Sequence, residues 1–331
     1  MKSMIRRAIL GALASPMIAP SLHRIFRGSI FCLMLHRVSE KDARRLAPNE
    51  GMKVSPSCLE RFILDAKSKG YRFLSMTQLH RAMEGETEWP TRGIVVTLDD
   101  GYRDNLTEGL PIFERHSVPF IVYLSTAFVG PARSPWWYAL EELILAKDEL
   151  WHDEELIPVG SIEAKEALFM RVREAALLST MGAGQYISAL CERNGYVPEV
   201  SAPSFLSWDE VRRLHSHPLA EIGAHGHEHL NLQGLSHEEV RAELVVARDE
   251  IARHTGCVPD HYSYAYGLFD ETATSVVREL GAKTCVTTAS GCITSGERDR
   301  LALPRFMLTE GMSMDELIAQ AAYMKIRGAS R

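Results

Sequence analysis

The sequence has no C-x-x-C pair, no internal repeat, no low-complexity tract and no excess of basic residues. Its six cysteines are scattered, which argues against a zinc ribbon or a disulfide framework and favours reduced, packed thiols. The formal net charge of −6 gives no overall positive field, so we expect no nucleic-acid partner. With 331 residues, 46% of them hydrophobic, the chain has enough apolar material for one large domain or two small ones.

The sequence also lacks a run of the roughly 20 apolar residues that a membrane-spanning helix needs. Residues 1–28 include an uncharged stretch from Ala8 to Leu22, but Pro16 and Pro20 interrupt it. The stretch is flanked by four arginines: Arg6, Arg7, Arg24 and Arg27. This combination favours a peripheral, interfacial segment. We therefore expect a cytoplasmic, membrane-associated protein; the alternative is a signal peptide cleaved at the sequence ALAS.

Short apolar runs alternate with capped amphipathic segments along most of the chain. GSIFCLMLHRV, GIVVTL and PFIVYLS are typical of buried strands, and residues 55–70 and 236–256 show helical spacing between a serine cap and a terminal glycine. This order favours parallel strands covered by helices, that is, an α/β fold. Residues from about 131 to 204 break the rhythm with two long amphipathic segments. We interpret them as a helical insertion within a domain that extends over residues 29–331.

Two adjacent carboxylates end one of the buried strands. Asp99 and Asp100 follow GIVVTL directly, so a parallel α/β fold places them at the carboxyl end of the sheet, where loops build active sites. Neighbouring carboxylates repel each other unless a cation or a proton separates their roles. A pair of turn aspartates before Gly101 is the ordinary alternative, and the motif taken alone is weak.

Three histidines in five residues follow another apolar strand. In EIGAHGHEHLNL, an extended backbone would align His225, His227 and His229 on one face, whereas a turn or helix would bring His225 and His229 together. Two or three imidazoles with one carboxylate suit Zn²⁺ or a similar divalent ion that keeps a position open for water. A solvated histidine-rich loop is the alternative explanation.

TLDDGYRDN and IGAHGHEHLNL together resemble the first two motifs of the polysaccharide deacetylases with a NodB-type domain, carbohydrate esterase family four. The resemblance extends over residues 29–331 and implies a distorted (β/α)7 barrel. It also implies metal-dependent removal of an acyl group from an amide or ester, with Zn²⁺ as the expected ion and Co, Ni or Fe as the alternatives.

The resemblance assigns an expected role to each residue of the two motifs. On the family pattern Asp99 is the general base. Asp100, His225 and His229 bind the metal. His227 occupies a variable position, and we predict that it is not a ligand.

The third family motif, R-x-P-Y, is altered in this chain. HYSYAYG stands in its place, with Ser263 at the position of the arginine and Ala265 at that of the proline. The resemblance implies that the backbone N–H of Tyr266 helps to stabilise the oxyanion, a role that should survive changes in neighbouring side chains. Gly226 replaces the usual Ser or Thr of the second motif, which removes a hydroxyl near the metal and could lower its affinity.

Two further family roles are harder to place. Arg305, in LALPRFML, is our candidate for the arginine that orients the catalytic aspartate; a surface arginine beside a strand is the alternative. The family's late L-x-x-H motif, which supplies the general acid, is absent because no histidine follows His261. His36, at the end of the first strand, is the remaining candidate for the acid, with a structural histidine as the alternative.

We therefore expect a hydrolase that removes N-acetyl groups from a bacterial polysaccharide, oligosaccharide or glycan precursor containing N-acetylhexosamine. A water activated by the metal would be the nucleophile, and Trp136, Trp137 and Trp208 are candidate sugar-stacking surfaces. The alternatives are an O-deacetylase or deformylase of a lipid-linked sugar, and a catalytically inactive glycan-binding homologue.

Overall fold

The buried runs of the sequence form strands of one parallel sheet, as expected. The computed structural model describes residues 2–130, 135–199, 204–297 and 299–328. The strands within these ranges are β1 (Ser29–Leu35), β2 (Arg37–Val38), β3 (Lys53–Val54), β4 (Arg72–Leu74), β5 (Gly93–Leu98), β6 (Phe120–Leu124), β7 (Glu149–His152), β8 (Glu155–Pro158), β9 (Ala220–Ala224), β10 (His261–Ser263), β11 (Thr284–Val286), β12 (Ile293–Thr294) and β13 (Phe306–Met307).

Helices connect and cover these strands. They are α1 (Lys2–Leu13), α2 (Ala19–Ile25), α3 (Ala47–Glu50), α4 (Pro56–Ser68), α5 (Met76–Met83), α6 (Leu110–Arg115), α7 (Trp136–Leu145), α8 (Ile162–Leu178), α9 (Ala183–Arg193), α10 (Trp208–His215), α11 (His237–Thr255), α12 (Glu271–Glu279) and α13 (Met314–Gly328). None of these described helices combines the length and the apolarity needed to cross a membrane.

The main sheet curls into a distorted barrel. In the described part of the chain, seven parallel strands follow one another in the order β11, β10, β9, β6, β5, β1 and β13. In addition, β4 pairs with the first residues of β5, and β12 pairs antiparallel with the first residues of β1. A bridge between Val286 and Leu303 links β11 to the segment that leads into β13, so the two edges of the sheet approach each other. The expected α/β barrel with seven parallel strands is confirmed.

Both faces of the central strands are buried, which explains why their sequences are continuously apolar. Every residue of β1 and β5 is buried. In β1, Ile30 and Cys32 point into the barrel, whereas Phe31 and Leu33 pack against the surrounding helices. The same alternation in β5 places Thr97 and then Asp99 on the interior side of the barrel, at its carboxyl end.

The helix caps predicted from the sequence are confirmed. Ser207 and Ser236 cap α10 and α11, and each forms a capping box with the glutamate three residues later. Gly256 ends α11 in the left-handed conformation, with a φ of 78°. The expectation for the cysteines was wrong in part: all six are unpaired, but Cys257 is exposed because it directly follows this helix end.

The described part of the insertion, residues 135–199, supplies most of a second apolar cluster, to which Leu46, Tyr102 and Phe128 also belong. The two predicted helices are α7 and α8, and their buried side chains pack with those of α9. The sequence did not reveal α9 or the antiparallel hairpin of β7 and β8. Residues 131–134 and 200–203, at the ends of the insertion predicted from the sequence, lie outside the described residues.

Candidate active site

Three neighbouring strands deliver the predicted site residues to one end of the barrel. Asp99 and Asp100 follow β5, His225 follows β9, and β6 lies between these two strands. The backbone ladder continues past the strand ends, since Asp99 N–H donates to Leu35 O at 2.9 Å and His225 N–H donates to Leu124 O at 2.9 Å. The parallel topology therefore brings residues about 125 positions apart in sequence to one point.

Asp100, His225 and His229 form a buried group that could hold a metal ion. One ligand atom of each residue lies within 4.8 Å of the other two. Asp100 Oδ1 is 3.2 Å from His229 Nε2 and 3.6 Å from His225 Nε2. The two Nε2 atoms are 3.2 Å apart. Two imidazoles and a carboxylate at this spacing are a donor set that suits Zn²⁺ and related divalent ions.

The hydrogen bonds of this group leave His225 Nε2 and Asp100 Oδ1 free to bind an ion. His225 Nδ1 lies 2.8 Å from Ser263 O and donates to that carbonyl, so the free lone pair of the imidazole is on Nε2. Asp100 Oδ1 is buried and accepts no hydrogen bond from the described residues. A buried carboxylate oxygen without a donor is costly unless a cation compensates it. The residues present therefore fit a divalent metal.

Strained backbone aims two of these side chains. Asp100 has a φ of 73° and His229 a φ of 58°, in the left-handed region that non-glycine residues seldom occupy. Such residues cost on the order of 1 kcal/mol or more each and persist where the surrounding structure fixes them. Gly101 also has a positive φ, and a Cβ there would lie 2.7 Å from Leu124 Cδ2. The glycine after the aspartates is thus required by the turn.

Asp99 is clamped by Arg305, which is completely buried. The NH1 and NH2 groups of Arg305 donate to Asp99 Oδ1 and Oδ2, both at 2.8 Å. The remaining donors bond Thr287 O at 2.8 Å, Thr97 Oγ1 at 2.9 Å and Ser263 Oγ at 3.1 Å. The structure thus places Arg305 on the catalytic candidate and not on the surface, the alternative that the sequence left open.

The surroundings of Asp99 and His225 lower the pKa of both side chains, for different reasons. Burial alone would raise the pKa of Asp99, but the charge and hydrogen bonds of Arg305 and the nearby His225 hold it well below its ordinary value. Burial lowers the pKa of His225 to about 4, against the opposing attraction of Asp99. At neutral pH the site therefore offers an ionised Asp99 carboxylate and a neutral His225 imidazole.

Glu243, on α11, braces the histidine loop and was missed by the sequence reasoning. Its Oε1 accepts the N–H of Glu228 at 2.8 Å and that of Leu230 at 3.4 Å, the two neighbours of His229. A Cβ on Gly226 would lie 2.6 Å from the same oxygen, so the glycine leaves room for this brace. The available signal was a glutamate on the inward, otherwise apolar face of α11.

His36 and Tyr266 also border the metal group. The charge of His36 acts on the pKa of both Asp99 and Asp100, and its buried Nδ1 has no hydrogen-bond partner among the described residues. The ring of Tyr266 lies edge-on to that of His229, with centroids 4.3 Å apart. Tyr266 has a φ of 57°, so its backbone turns sharply at this point.

The insertion supplies one wall of the site. Trp136 Nε1 donates to Tyr266 Oη at 2.8 Å, and the ring of Trp137 lies 5.3 Å from that of His229. Trp208 instead stacks on His254 at a centroid distance of 4.0 Å, on the α10 and α11 surface. His227 forms a hydrogen bond through Nδ1 with Thr126 Oγ1 at 2.8 Å, and it is not part of the candidate metal group.

Comparisons with known proteins identify the family and the fold. The family model for polysaccharide deacetylases matches residues 87–285, and no curated protein matches the chain. The fold is similar to that of the Streptococcus pyogenes deacetylase PplD in complex with acetate (TM-score 0.59, 16% identity, 89% of this chain and 98% of that chain). It is also similar to IcaB from Ammonifex degensii (TM-score 0.59, 15% identity, 89% of this chain and 97% of that chain) and to a de-N-acetylase from Aggregatibacter actinomycetemcomitans (TM-score 0.55, 15% identity, 87% of this chain and 98% of that chain).

Proposed function

The chain belongs to the polysaccharide deacetylase family, and from that premise we propose that it removes N-acetyl groups from an N-acetylhexosamine in a polysaccharide, oligosaccharide or glycan precursor. The observation that carries the proposal is the buried group of Asp100, His225 and His229 beside the clamped carboxylate of Asp99. A protein that only binds a glycan has no need for this arrangement of ligands next to a base.

Asp100, His225 and His229 would hold the divalent ion, with Zn²⁺ as the expected one. When bound at such a site, a divalent ion supplies Lewis acidity and lowers the pKa of water from 15.7 towards about 7. The chain's own contribution is to preorganise the ligand atoms. His225 is fixed by its bond to Ser263 O, and His229 by the loop that Glu243 braces.

Asp99 is the proposed general base. Its carboxylate is ionised at neutral pH because Arg305 holds its pKa low, and the bidentate contact fixes the plane of the carboxylate. Asp99 Oδ2 lies 3.9 Å from His225 Nε2, so the base stands next to the ligand group. We assign Arg305 a positioning role, since it acts on the reaction through Asp99.

His36 is the proposed general acid, and the backbone N–H of Tyr266 is proposed to stabilise the oxyanion. Collapse of a tetrahedral acetamide adduct needs a proton on the leaving amine, and His36 is a histidine outside the metal group that is close enough to act on both aspartates and has an uncommitted buried nitrogen. The backbone N–H of Tyr266 is the proposed donor to the oxyanion that forms during attack. The altered third motif leaves this backbone donor in the chain.

The insertion favours a sugar substrate of some size. The half-buried indole of Trp136, tied to Tyr266, offers a flat apolar surface beside the site that suits a pyranose ring. Arg173, on α8, lies over the Tyr266 ring with its Cζ 5.9 Å from the centroid. These contacts place aromatic and cationic groups of the insertion at the edge of the site, where a neighbouring sugar unit would lie.

The test is metal content by elemental analysis, together with release of acetate from chitooligosaccharides and O-acetylated sugars and release of formate from N-formylated sugars. Bound metal with acetate release from N-acetylated substrates supports the proposal. Asp99→Asn should keep the metal and abolish turnover, whereas His229→Ala should lose both. Unchanged turnover in Asp99→Asn would rule out Asp99 as the base.

The absence of a histidine after His261 is the observation that favours a second candidate, a glycan-binding homologue without activity. Metal without release from any of the three substrate classes, combined with glycan binding, would favour that candidate. Release from the O-acetylated or N-formylated sugars alone would instead favour the O-deacetylase or deformylase.

A further inference from the structure

Apolar and basic side chains are exposed together at the end of the barrel opposite the candidate active site. We call the exposed surface of α1, α2 and the turn between them the basal face. Met4 is 75% exposed and Met17 is 91% exposed, and Ile5 and Ile9 lie one helical turn apart on α1. Such large apolar side chains grouped on one helical segment mark an interaction surface.

The position of the basal face follows from the chain path. Gly28, between α2 and β1, donates its N–H to Thr91 O at 2.7 Å, just before β5 begins. The segment therefore joins the barrel at the amino ends of β1 and β5. Asp99 follows the carboxyl end of β5, about 20 Å away along strands of six or seven residues. The basal face is thus remote from the catalytic candidates.

The charge of this segment is opposite to that of the whole chain. Residues 1–28 contain five Lys or Arg and no Asp or Glu, although the net charge of the chain is −6. Arg6, Arg7, Arg24 and Arg27 are exposed, and none of them forms an ion pair with the residues that the structure describes. Four free guanidinium groups beside exposed apolar side chains are complementary to a lipid surface, which has anionic headgroups on the outside and apolar acyl chains beneath them.

The helices here are too short to span a bilayer. The 12 residues of α1 rise about 18 Å, against a hydrocarbon core of about 30 Å. The carboxyl end of the same helix is held against the protein, because Leu13 packs on the main core and α1 contacts α13, whereas residues 4–9 are all exposed. A short helix held at one end and otherwise exposed is suited to lie in the plane of an interface.

We propose that the basal face docks the protein on an anionic lipid bilayer, with Met4, Ile5 and Ile9 entering the headgroup boundary and Arg6 and Arg7 contacting lipid phosphates. This interaction is independent of the proposed catalytic function. Arg24 and Arg27 extend the cationic surface towards the barrel.

The test is co-sedimentation of the full chain with vesicles of phosphatidylcholine alone and of phosphatidylcholine mixed with phosphatidylglycerol. Wild type should bind the anionic vesicles and be released at high salt. Since each basic residue near an anionic surface contributes roughly fivefold in affinity, Arg6→Ala with Arg7→Ala should weaken binding roughly thirtyfold. Ile5→Ser with Ile9→Ser should also weaken it.

The matched control is Arg61→Ala with Arg213→Ala, which removes two exposed arginines without ion pairs in the described structure but outside the basal face. This variant should bind as wild type does. Wild-type protein that ignores anionic vesicles, or binds neutral ones equally well, would overturn the proposal. So would self-association without vesicles that Ile5→Ser with Ile9→Ser abolishes, because the occupant would then be a second copy of the chain.

Metal content and acetate release of the same variants separate this proposal from the catalytic one. Both should stay at wild-type level, because the basal face lies at the far end of the barrel. A protein that binds anionic vesicles but is inactive on every substrate would support docking and count against the catalytic proposal alone.

Discussion

Asp99 and Asp100 are neighbours in sequence and equally buried, yet they meet opposite surroundings. Both oxygens of Asp99 accept hydrogen bonds from Arg305, whose other donors are also used within the barrel. Asp100 Oδ1 accepts none from the described residues and faces two imidazole nitrogens. The comparison indicates that the protein carries its own cation for one carboxylate and leaves an oxygen of the other available to an ion from solution.

Asp100→Asn should produce the largest change in activity and little change in the stability of the metal-free protein. Removal of the charge weakens the metal group, and the loss of several kcal/mol of metal assistance corresponds to about a thousandfold or more in turnover. Because Asp100 Oδ1 has no hydrogen bond to lose, unfolding of the metal-free protein should shift by less than about 1 kcal/mol. Elemental analysis, acetate release and chemical denaturation measure the three quantities.

Arg305→Met should show the converse pattern. Asp99 would be left buried without its cation, which typically costs 3–5 kcal/mol, while the three metal ligands remain. Turnover should fall about a hundredfold because Asp99 loses its orientation, with metal content retained. A metal-free stability equal to that of wild type would show that Asp99 does not depend on the clamp.

The double variant Asp99→Leu with Arg305→Met distinguishes a lost partner from general damage to the barrel. Replacing both members of a buried ion pair by apolar side chains is often neutral or stabilising. The double variant should therefore recover much of the stability lost in Arg305→Met while remaining inactive. Failure to recover would mean that the bonds of Arg305 to Thr97, Thr287 and Ser263 dominate its structural role.

His36→Ala should lower turnover about a hundredfold without loss of metal, since general acid catalysis is typically worth that factor or more. His80→Ala is a matched control, because His80 is likewise half-buried with a buried nitrogen that has no partner among the described residues, but lies on α5 away from the aspartates. A decrease of less than tenfold in His36→Ala would rule out His36 as the acid.

The alternation of strands and helices, the carboxyl-end placement of both motifs and the helix caps could be predicted because each depends on local spacing, whereas the seven-stranded barrel was implied only by the resemblance. Asp99, Asp100 and the histidines follow apolar runs, and parallel strands align such ends. Arg305 could be proposed only by resemblance, since its contact with Asp99 joins residues 206 positions apart. Glu243 was missed for a similar reason. A glutamate on a helix is ordinarily a surface residue, and only the positive φ of Gly226 and the turn at His229 bring backbone donors to it.

Glu243 adds a third buried carboxylate to the comparison, one that is satisfied by backbone N–H groups. Glu243→Ala removes the acceptor for the N–H groups on both sides of His229, so metal affinity should fall roughly tenfold, the lower end of the range for supports of metal ligands. Glu243→Gln keeps the accepting oxygen and should restore most of the affinity. Glu238→Gln, an exposed change on the same helix, should have no effect.

The same residue makes a prediction about pH. Burial raises the pKa of Glu243 above its ordinary value of 4.5, against the opposing hydrogen bonds from Glu228 and Leu230. The folded state therefore holds this proton more tightly than the unfolded state. Its contribution to stability is fully present below pH 4.5 and is lost as the pH rises through the folded pKa.

Denaturation of metal-free protein across this pH range tests that sign. Glu243→Gln cannot lose a proton, so it should gain stability relative to wild type as the pH rises, and the two should converge in acid. If wild type instead gains stability relative to Glu243→Gln with rising pH, the Glu243 carboxylate is favoured as the anion. In that case an ionised Glu243 would hold the histidine loop, just as the ionised Arg305 holds Asp99. Of these three buried carboxylates, Asp100 would then be the one with an oxygen that has no hydrogen-bond partner among the described residues and is available to a metal ion.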